Sequence, residues 1–249
     1  MSGEADGIAK VLPRLQARIA GFLYLLIILG ALFIPFHVAP SGISGMTLGE
    51  AATPAFIDRL LASKPLYVLS GAGQLMVLVC DIGVAWLFYE LLKPVDGGKA
   101  LLAAFFRLVF VAIAGANVFN HFAPLVLLSG ADYLSALSSQ QLRALALAFL
   151  KFRTIGFDIA LVFFGFHCIL IGYLLFKSTF FPRILGLLLA IGGLGYLANI
   201  LVHAIPPAVR ENLFPYVMLP AVAEILLTVW LIIVGVNAAK WKAQAAAER

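Results

Sequence analysis

Charged residues are scarce in this chain of 249 residues: 12% are Asp, Glu, Lys or Arg, whereas 63% are hydrophobic. An average soluble domain has about 25% charged and about 45–50% apolar residues. So few polar residues cannot cover the surface of a water-soluble protein of this size. The mean hydropathy of +1.06 has the same implication. These deficits exclude a disordered chain and predict an integral membrane protein.

Cysteine is rare as well, because the chain has only two, and this excludes a disulfide scaffold. Cys80 and Cys168 lie in apolar stretches and are interpreted as buried free thiols. The net charge of +5 is spread over the loops, so no nucleic acid is expected as a partner. The sequence also lacks a Walker loop, a dinucleotide fingerprint and a Gly-x-Ser-x-Gly elbow, and it therefore identifies no catalytic residue.

The alternating pattern of β-barrel strands is lacking too, and a window of about 19 residues finds long apolar stretches instead. The six predicted spans cover residues 19–38, 66–92, 101–128, 155–176, 182–204 and 216–238. Each reaches the roughly 20 residues that cross about 30 Å of hydrocarbon. We therefore predict an all-α fold: a polytopic transmembrane bundle of six transmembrane helices over residues 19–238, flanked by an N-terminal segment, 1–18, and a tail, 239–249.

The Lys and Arg residues between the spans predict the orientation of the bundle. The side with the larger number carries Lys10, Arg14, Arg18, Lys93, Lys99, Lys177, Arg183, Lys240, Lys242 and Arg249. By the positive-inside rule this side, with both termini, is cytoplasmic. The expected localisation is the inner (cytoplasmic) membrane, with the lipid bilayer as partner, and the sequence predicts no oligomeric state.

Two outer loops are predicted to form short helices at the membrane interface. One covers residues 54–62, where Thr53-Pro54 is an N-cap followed by proline at the first helical position. The other covers residues 139–152, where Ser138 and Gln141 have the spacing of a capping box; it either lies on the surface or extends the fourth span outward. The short polar turn at residues 93–99 predicts that the second and third spans are antiparallel neighbours.

Polar and ionisable residues within the predicted spans are the candidates for function, because an ionisable group costs about 2.5–3.5 kcal/mol at the bilayer centre. The candidate ligand-binding residues are Gln74, Asp81, Asn117, Asn120, His121, Asp158, His167, Asn199, His203 and Glu224. Depths counted at about 1.5 Å per residue place Asp81 and His167 near the midplane. The same count places a second group toward the exterior: His37, Asn120, His121, Asp158, Asn199, His203 and Glu224. Together they predict a polar pocket open to the outside. For Arg107, on the inner side, Glu90 is the expected partner.

Three interpretations of these residues stay open. In the first, they only form hydrogen bonds between helices, each worth about 0.6 kcal/mol. In the second, His121, His203 and a carboxylate of Asp158 or Glu224 bind a divalent metal such as zinc, with a position left for water. In the third, Asp81, Glu224 and the histidines change protonation as a substrate passes.

From these interpretations we expect a protein that binds or passes a small or lipid-like ligand in the polar pocket. One alternative is a metal-dependent intramembrane hydrolase acting on lipid. Another is a non-catalytic membrane partner subunit.

Several strings of residues carry a family resemblance. They are Ala17-Arg18-Ile19-Ala20-Gly21, Val79-Cys80-Asp81, Ala103-Ala104-Phe105-Phe106-Arg107-Leu108, Asn120-His121-Phe122, Ser129-Gly130-Ala131-Asp132-Tyr133, Phe163-Phe164-Gly165-Phe166-His167-Cys168 and Phe181-Pro182-Arg183. With them the chain resembles a family of bacterial membrane proteins, domain of unknown function 4386, over nearly its whole length. The resemblance implies a polytopic membrane protein and carries no activity or catalytic residues.

Overall fold

All regular structure is helical in the computed structural model, which describes residues 2–38, 54–199 and 219–247. The helices are α1 (Ser2–Val38), α2 (Pro54–Ala62), α3 (Lys64–Leu92), α4 (Gly97–Leu127), α5 (Ser139–Lys177), α6 (Arg183–Asn199), α7 (Leu219–Ile233) and α8 (Ala238–Ala247). A short 3₁₀ helix, Asp132–Leu134, lies between α4 and α5. The predicted all-α fold is confirmed for the described residues.

Four of these helices are long and apolar enough to cross a membrane: the Pro13–Ala31 part of α1, and α3, α4 and α5. The pair α7 and α8 brings the number of candidate spans to five if the two are counted as one bent span, and α6 is a shorter apolar helix. Large apolar side chains stand exposed, among them Met76 at 64% and Phe119 at 81%, as lipid-facing residues do. These helices indicate a membrane-embedded protein, whereas the six spans and the orientation stay predictions; residues 200–204 of the fifth predicted span lie outside the described residues.

Helix α5 begins where the predicted capping box stands. The backbone N–H of Ser138 donates to Gln141 Oε1 at 2.8 Å, and the N–H of Gln141 donates to Ser138 Oγ at 3.3 Å. From this cap the helix runs without a break to Lys177, so residues 139–152 continue the fourth span instead of forming a separate helix. Helix α2 begins at Pro54, the residue that the sequence marks as the first helical position. Its place at the membrane interface stays a prediction.

The sixth predicted span, residues 216–238, is wrong at its C-terminal end, because α7 stops at Ile233. Gly235 has a φ of +68°, which favours glycine, and its N–H donates to the carbonyl of Trp230 at 2.9 Å. Such a glycine ends a helix. Asn237 then caps α8 through its Oδ1, which accepts from the N–H of Lys240 at 3.2 Å. The predicted tail therefore begins as a helix that is bent by 102° from α7.

The chain divides into two compact units. Unit 1 comprises Met1–Leu26, Cys80–Val111 and Ala160–Arg249; unit 2 comprises Ile27–Val79 and Ala112–Ile159. In unit 1, α5 and α6 approach so closely that a Cβ added to Gly172 would lie 2.6 Å from the carbonyl oxygen of Gly186. In unit 2, α2 packs on α3 and α5 through Leu60, Tyr67 and Leu150.

Candidate functional site

The described candidate residues are divided between the two compact units. Unit 1 contains Asp81, His167, Asn199 and Glu224; unit 2 contains Gln74, Asn117, Asn120, His121 and Asp158. His203 lies outside the described residues. The single outward-facing pocket predicted for all ten residues stays a prediction.

The centre of the cluster in unit 1 is Arg107 of α4, whose side chain is completely buried. Its Nε donates to Asp81 Oδ1 of α3 at 2.9 Å, and its Nη2 donates to the same oxygen at 2.5 Å. The guanidinium carbon lies 4.9 Å from the centre of the Tyr24 ring and 5.2 Å from that of Phe164. Two aromatic faces and a carboxylate thus replace water around this cation. We call Tyr24, Asp81, Arg107, Phe164 and His167 the Arg107 cluster.

The contact between Arg107 and Asp81 contradicts the expected pairing of Arg107 with Glu90. Glu90 instead accepts a hydrogen bond from Lys93 Nζ at 2.7 Å. The reason lies in the helical hairpin: Asp81 stands 12 residues before Lys93, and Arg107 stands 11 residues after Asp96. At about 1.5 Å per residue both side chains have the same height above the turn. The contact also confirms that the second and third predicted spans are neighbours.

His167 completes the Arg107 cluster in a single tautomer. Its Nδ1 lies 2.8 Å from the carbonyl oxygen of Ala103, and its Nε2 lies 3.0 Å from Arg107 Nη1. A carbonyl oxygen only accepts and a guanidinium only donates, so the imidazole donates from Nδ1 and accepts at Nε2. His167 is therefore neutral here, because a proton on Nε2 would face the N–H of Arg107.

Glu224 of α7 is the second buried carboxylate of unit 1. Its Oε1 accepts from the hydroxyl of Tyr196, on α6, at 2.5 Å. The Tyr196 ring stands edge-on to Phe164, with ring centres 5.3 Å apart, so the pair adjoins the Arg107 cluster. Among the described residues of unit 1, no buried side-chain nitrogen or oxygen lacks a hydrogen-bond partner. Such saturation is typical of polar groups that hold helices together.

The cluster in unit 2 is centred on His121 of α4, whose side chain is also completely buried. The ring lies flat on Tyr67 with centres 4.1 Å apart, and Tyr67 donates its hydroxyl proton to the carbonyl of His121 at 2.6 Å. His121 Nε2 lies 3.0 Å from the carbonyl oxygen of Tyr67 and 3.4 Å from Ser70 Oγ. The carbonyl requires a proton on Nε2, so Nδ1 carries a lone pair. His121 thus has the opposite tautomer to His167.

Arg153 of α5 borders His121 through two neighbours. Its Nη2 donates to Gln74 Oε1 at 3.4 Å, and its carbonyl accepts from Asn117 Nδ2 at 2.7 Å. Gln74 follows Ser70 by one turn of α3, and Asn117 precedes His121 by one turn of α4. Arg153 and His121 are therefore offset by about one helical turn, or roughly 5.4 Å along the helices. We call His121, Arg153, Gln74, Asn117 and Ser70 the His121 cluster.

Two polar atoms of the His121 cluster are buried without a hydrogen-bond partner among the described residues: His121 Nδ1 and Arg153 Nε. A buried polar atom without a partner costs about 1–3 kcal/mol, and more when it is charged. The pair offers one acceptor, on His121, and one donor with a positive charge, on Arg153. The arrangement suits a polar group with both a donor and an acceptor.

The remaining candidate residues of the described chain are Asn120, Asp158 and Asn199. Asn120 donates from Nδ2 to Asn117 Oδ1 at 2.8 Å, and Asp158 is buried in unit 2. Asn199 is the last residue of α6. Within the described residues, no group of three His, Cys, Asp or Glu side chains is placed to hold a metal ion. The predicted zinc ligands include His203, which lies beyond the described part of the chain, and the zinc site stays a prediction.

Sequence reasoning missed Arg153 as a member of the site, because it assigned this residue to an outer loop. Of the two alternatives left open for the capping box at Ser138, the outward extension of the fourth span is the one that leads to Arg153, since this helix carries Arg153 as well as Asp158. Tyr24 and Tyr67 were also missed. They are single aromatic residues in apolar stretches, and no pattern in the sequence distinguishes them from lipid-facing tyrosines.

The comparisons with known proteins identify a family and name no activity. The chain is 29% identical over 176 residues to an uncharacterized protein of Archaeoglobus fulgidus, an alignment that covers 71% of this chain and 89% of the relative. No solved structure matches the chain. The family match spans residues 19–235 and so includes both clusters. The chain belongs to the family described as Domain of unknown function (DUF4386).

Proposed function

We propose that this membrane protein binds a small or lipid-like ligand at the His121 cluster. The observation that carries the proposal is the pair of buried atoms without a described partner, His121 Nδ1 and Arg153 Nε. Every buried polar side-chain atom of the Arg107 cluster is paired, although that cluster also contains a histidine and an arginine. Buried polar groups in native proteins are almost always satisfied, so an unpaired set is best explained by a partner from outside the chain.

The chemistry of the two atoms defines the ligand group. Arg153 Nε donates to an oxygen, and the positive charge of Arg153 favours an anionic one. His121 Nδ1 accepts a proton from a hydroxyl or a protonated oxyacid. The rings of Tyr67 and Phe122 border the imidazole, with the Phe122 centre 5.1 Å away, and they provide apolar surface. We therefore propose a ligand with an oxygen-rich polar headgroup and an apolar body, which a lipid or a lipid-like small molecule supplies.

The experiment compares the amount of ligand that remains bound to four proteins. Wild type, His121→Phe, Arg153→Met and the control Lys151→Met are extracted into polymer-bounded nanodiscs without detergent, purified and examined by native mass spectrometry. Lys151 is exposed and lies two residues before Arg153, so its replacement removes a charge at the same helix without touching the cluster. A hydrogen bond to a charged group is worth about 1.5–3 kcal/mol, so occupancy in His121→Phe and Arg153→Met should reflect a roughly 10- to 100-fold weaker affinity. Equal occupancy in all four proteins, or none in the wild type, contradicts the proposal.

A metal-dependent hydrolase is the second candidate, and one observation favours it. His121 donates from Nε2 to a backbone carbonyl and keeps a free lone pair on Nδ1, which is how metal-ligating histidines are oriented. The positive charge of Arg153 beside that lone pair opposes a cation. Elemental analysis separates the two candidates: a structural or catalytic metal would disappear in His121→Phe and persist in Arg153→Met. A polar ligand needs both residues.

A further inference from the structure

One end of unit 1 carries a concentration of positive charge, independent of the His121 cluster. We call it the basic face. Its members are Arg14, Arg18, Lys93, Lys99, Lys177, Arg183, Lys240 and Lys242. They stand near the N-terminus of the apolar part of α1, at the ends of α3 to α6 and on α8. Six of them are exposed and lie on five different helices or their ends: Arg14, Arg18, Lys99, Lys177, Arg183 and Lys240.

Helix α8 joins these helix ends into one surface. Trp241 donates from its ring nitrogen to the carbonyl of Leu91, near the end of α3, at 2.8 Å. Gln244 Oε1 accepts from both the N–H and the hydroxyl of Thr179, in the connection between α5 and α6, at 3.0 Å each. The turn before α8 reaches α1, since a Cβ on Gly235 would lie 3.8 Å from the carbonyl oxygen of Arg14.

Two of the eight members of the basic face form local ion pairs with carboxylates. Glu90 pairs with Lys93, and Asp96 pairs with Lys99. The hydrogen bonds from Lys99 lower the pKa of Asp96 below its ordinary value, so this pair keeps its charges. Each local pair is electrically neutral, and the exposed cations Arg14, Arg18, Lys177, Arg183 and Lys240 leave a positive field over the face.

The position of Arg183 points to an anionic partner. It is the first residue of α6, where the helix dipole disfavours a cation and favours an anion. Its side chain is exposed, and the Phe176 ring, 5.8 Å from the guanidinium carbon, is its described neighbour. An arginine and a helix N-terminus together form a good site for a phosphate group.

Helix α8 has the orientation of an interfacial helix. The 102° bend after α7 turns α8 nearly perpendicular to a helix that is a candidate for the membrane span. Trp241 and Gln244 face the body of unit 1, whereas Lys240 is exposed. A helix of this kind, with tryptophan and lysine side by side, is typical of the boundary between acyl chains and headgroups.

We propose that the basic face binds the phosphate headgroups of anionic membrane lipids. Polybasic segments at a membrane surface attract anionic lipids, and the attraction falls with ionic strength because charges near water are screened. The face therefore selects phosphatidylglycerol over phosphatidylcholine, whose headgroup carries no net charge. Loss of one Lys or Arg weakens such binding about fivefold at low salt.

The experiment uses the tryptophans of the protein as fluorescence donors, since Trp241 lies on the basic face itself. The full chain is reconstituted into phosphatidylcholine vesicles that contain a small fraction of dansyl-labelled phosphatidylglycerol or dansyl-labelled phosphatidylcholine. The proposal predicts several-fold stronger energy transfer to the labelled phosphatidylglycerol at low salt, and loss of this preference as sodium chloride is added. Equal transfer to the two lipids at low salt would overturn it.

Two charge-matched triple variants make the test specific to this face. Lys177→Gln/Arg183→Gln/Lys240→Gln removes three exposed cations of the basic face, and Lys64→Gln/Arg143→Gln/Lys151→Gln removes three exposed cations of unit 2. The first variant should lose the preference for phosphatidylglycerol, and the second should keep it. An equal loss in both variants would show a nonspecific effect of net charge and refute the assignment. Because all six residues are exposed, circular dichroism should show unchanged helix content in both.

Discussion

The buried ion pair between Arg107 and Asp81 gives the sharpest stability prediction. Arg107→Met removes two hydrogen bonds to Asp81 Oδ1 and one to His167 Nε2, and it leaves the Asp81 carboxylate buried without its cation. Removing one partner of a buried pair costs about 3–5 kcal/mol. For proteins of 150–250 residues, each kcal/mol lowers the midpoint of thermal unfolding by about 2–4 °C. The expected drop in midpoint is therefore about 6–20 °C.

A double-mutant cycle isolates the interaction. Asp81→Leu should also cost about 3–5 kcal/mol, because it leaves the buried Arg107 cation uncompensated. The double variant Arg107→Met/Asp81→Leu leaves no buried charge in the pair. Its main deficit is the unpaired Nε2 of His167, which costs about 1–3 kcal/mol. It should therefore be more stable than either single variant.

An exposed ion pair in the same chain serves as the control. Arg143 Nη1 lies 2.8 Å from Asp58 Oδ1, with side-chain exposures of 45% and 62%. Exposed pairs contribute about 0.2–1 kcal/mol, so Arg143→Met should lower the midpoint by at most about 4 °C. The assay is thermal unfolding in nanodiscs, followed by tryptophan fluorescence. The reasoning is refuted if Arg107→Met behaves like Arg143→Met, or if the double variant shows the sum of the two single losses.

Two predictions concern glycines, and the same unfolding assay checks both. Gly172→Ala should lose about 1–3 kcal/mol, because its methyl group would meet the backbone of Gly186; Gly73→Ala, whose added Cβ would have no neighbour within 4 Å, should be neutral or gain up to about 1 kcal/mol. Equal effects at the two positions would contradict the close approach of α5 and α6. Gly235→Ala should lose about 1–2 kcal/mol through its positive φ, and Gly235→Asn should lose less. If alanine and asparagine cost the same there, backbone conformation does not end α7.

The helices could be predicted well from the sequence, because hydropathy and capping depend on residues that are close together in the chain. The capping box of Ser138 and Gln141 forms as its spacing implies. The end of α7 was misplaced, although Gly235 and Asn237 are ordinary stop and start signals, because the apolar run continues across them. Hydropathy averages over about 19 residues and does not resolve a four-residue break.

The polar contacts were harder to predict, because they depend on how helices pack. The predicted pairing of Arg107 with Glu90 was wrong because the depth of each residue was counted from the centre of its span. When residues are counted from the turn at 93–96 instead, Asp81 has the same height as Arg107, which it contacts. Arg153 was not predicted as a site residue because it lies on the part of α5 that precedes the predicted fourth span. The tautomers of His121 and His167 have no signal in the sequence at all, since each follows from a carbonyl on another helix.

The central claim is that His121 Nδ1 and Arg153 Nε receive a ligand from outside the chain. The most direct test is an experimental density map of the wild-type protein in nanodiscs extracted without detergent. We predict density beyond the protein that lies within hydrogen-bond distance of both atoms. If side chains or backbone groups of the protein itself pair with both atoms, the His121 cluster is saturated like the Arg107 cluster, and the claim is wrong.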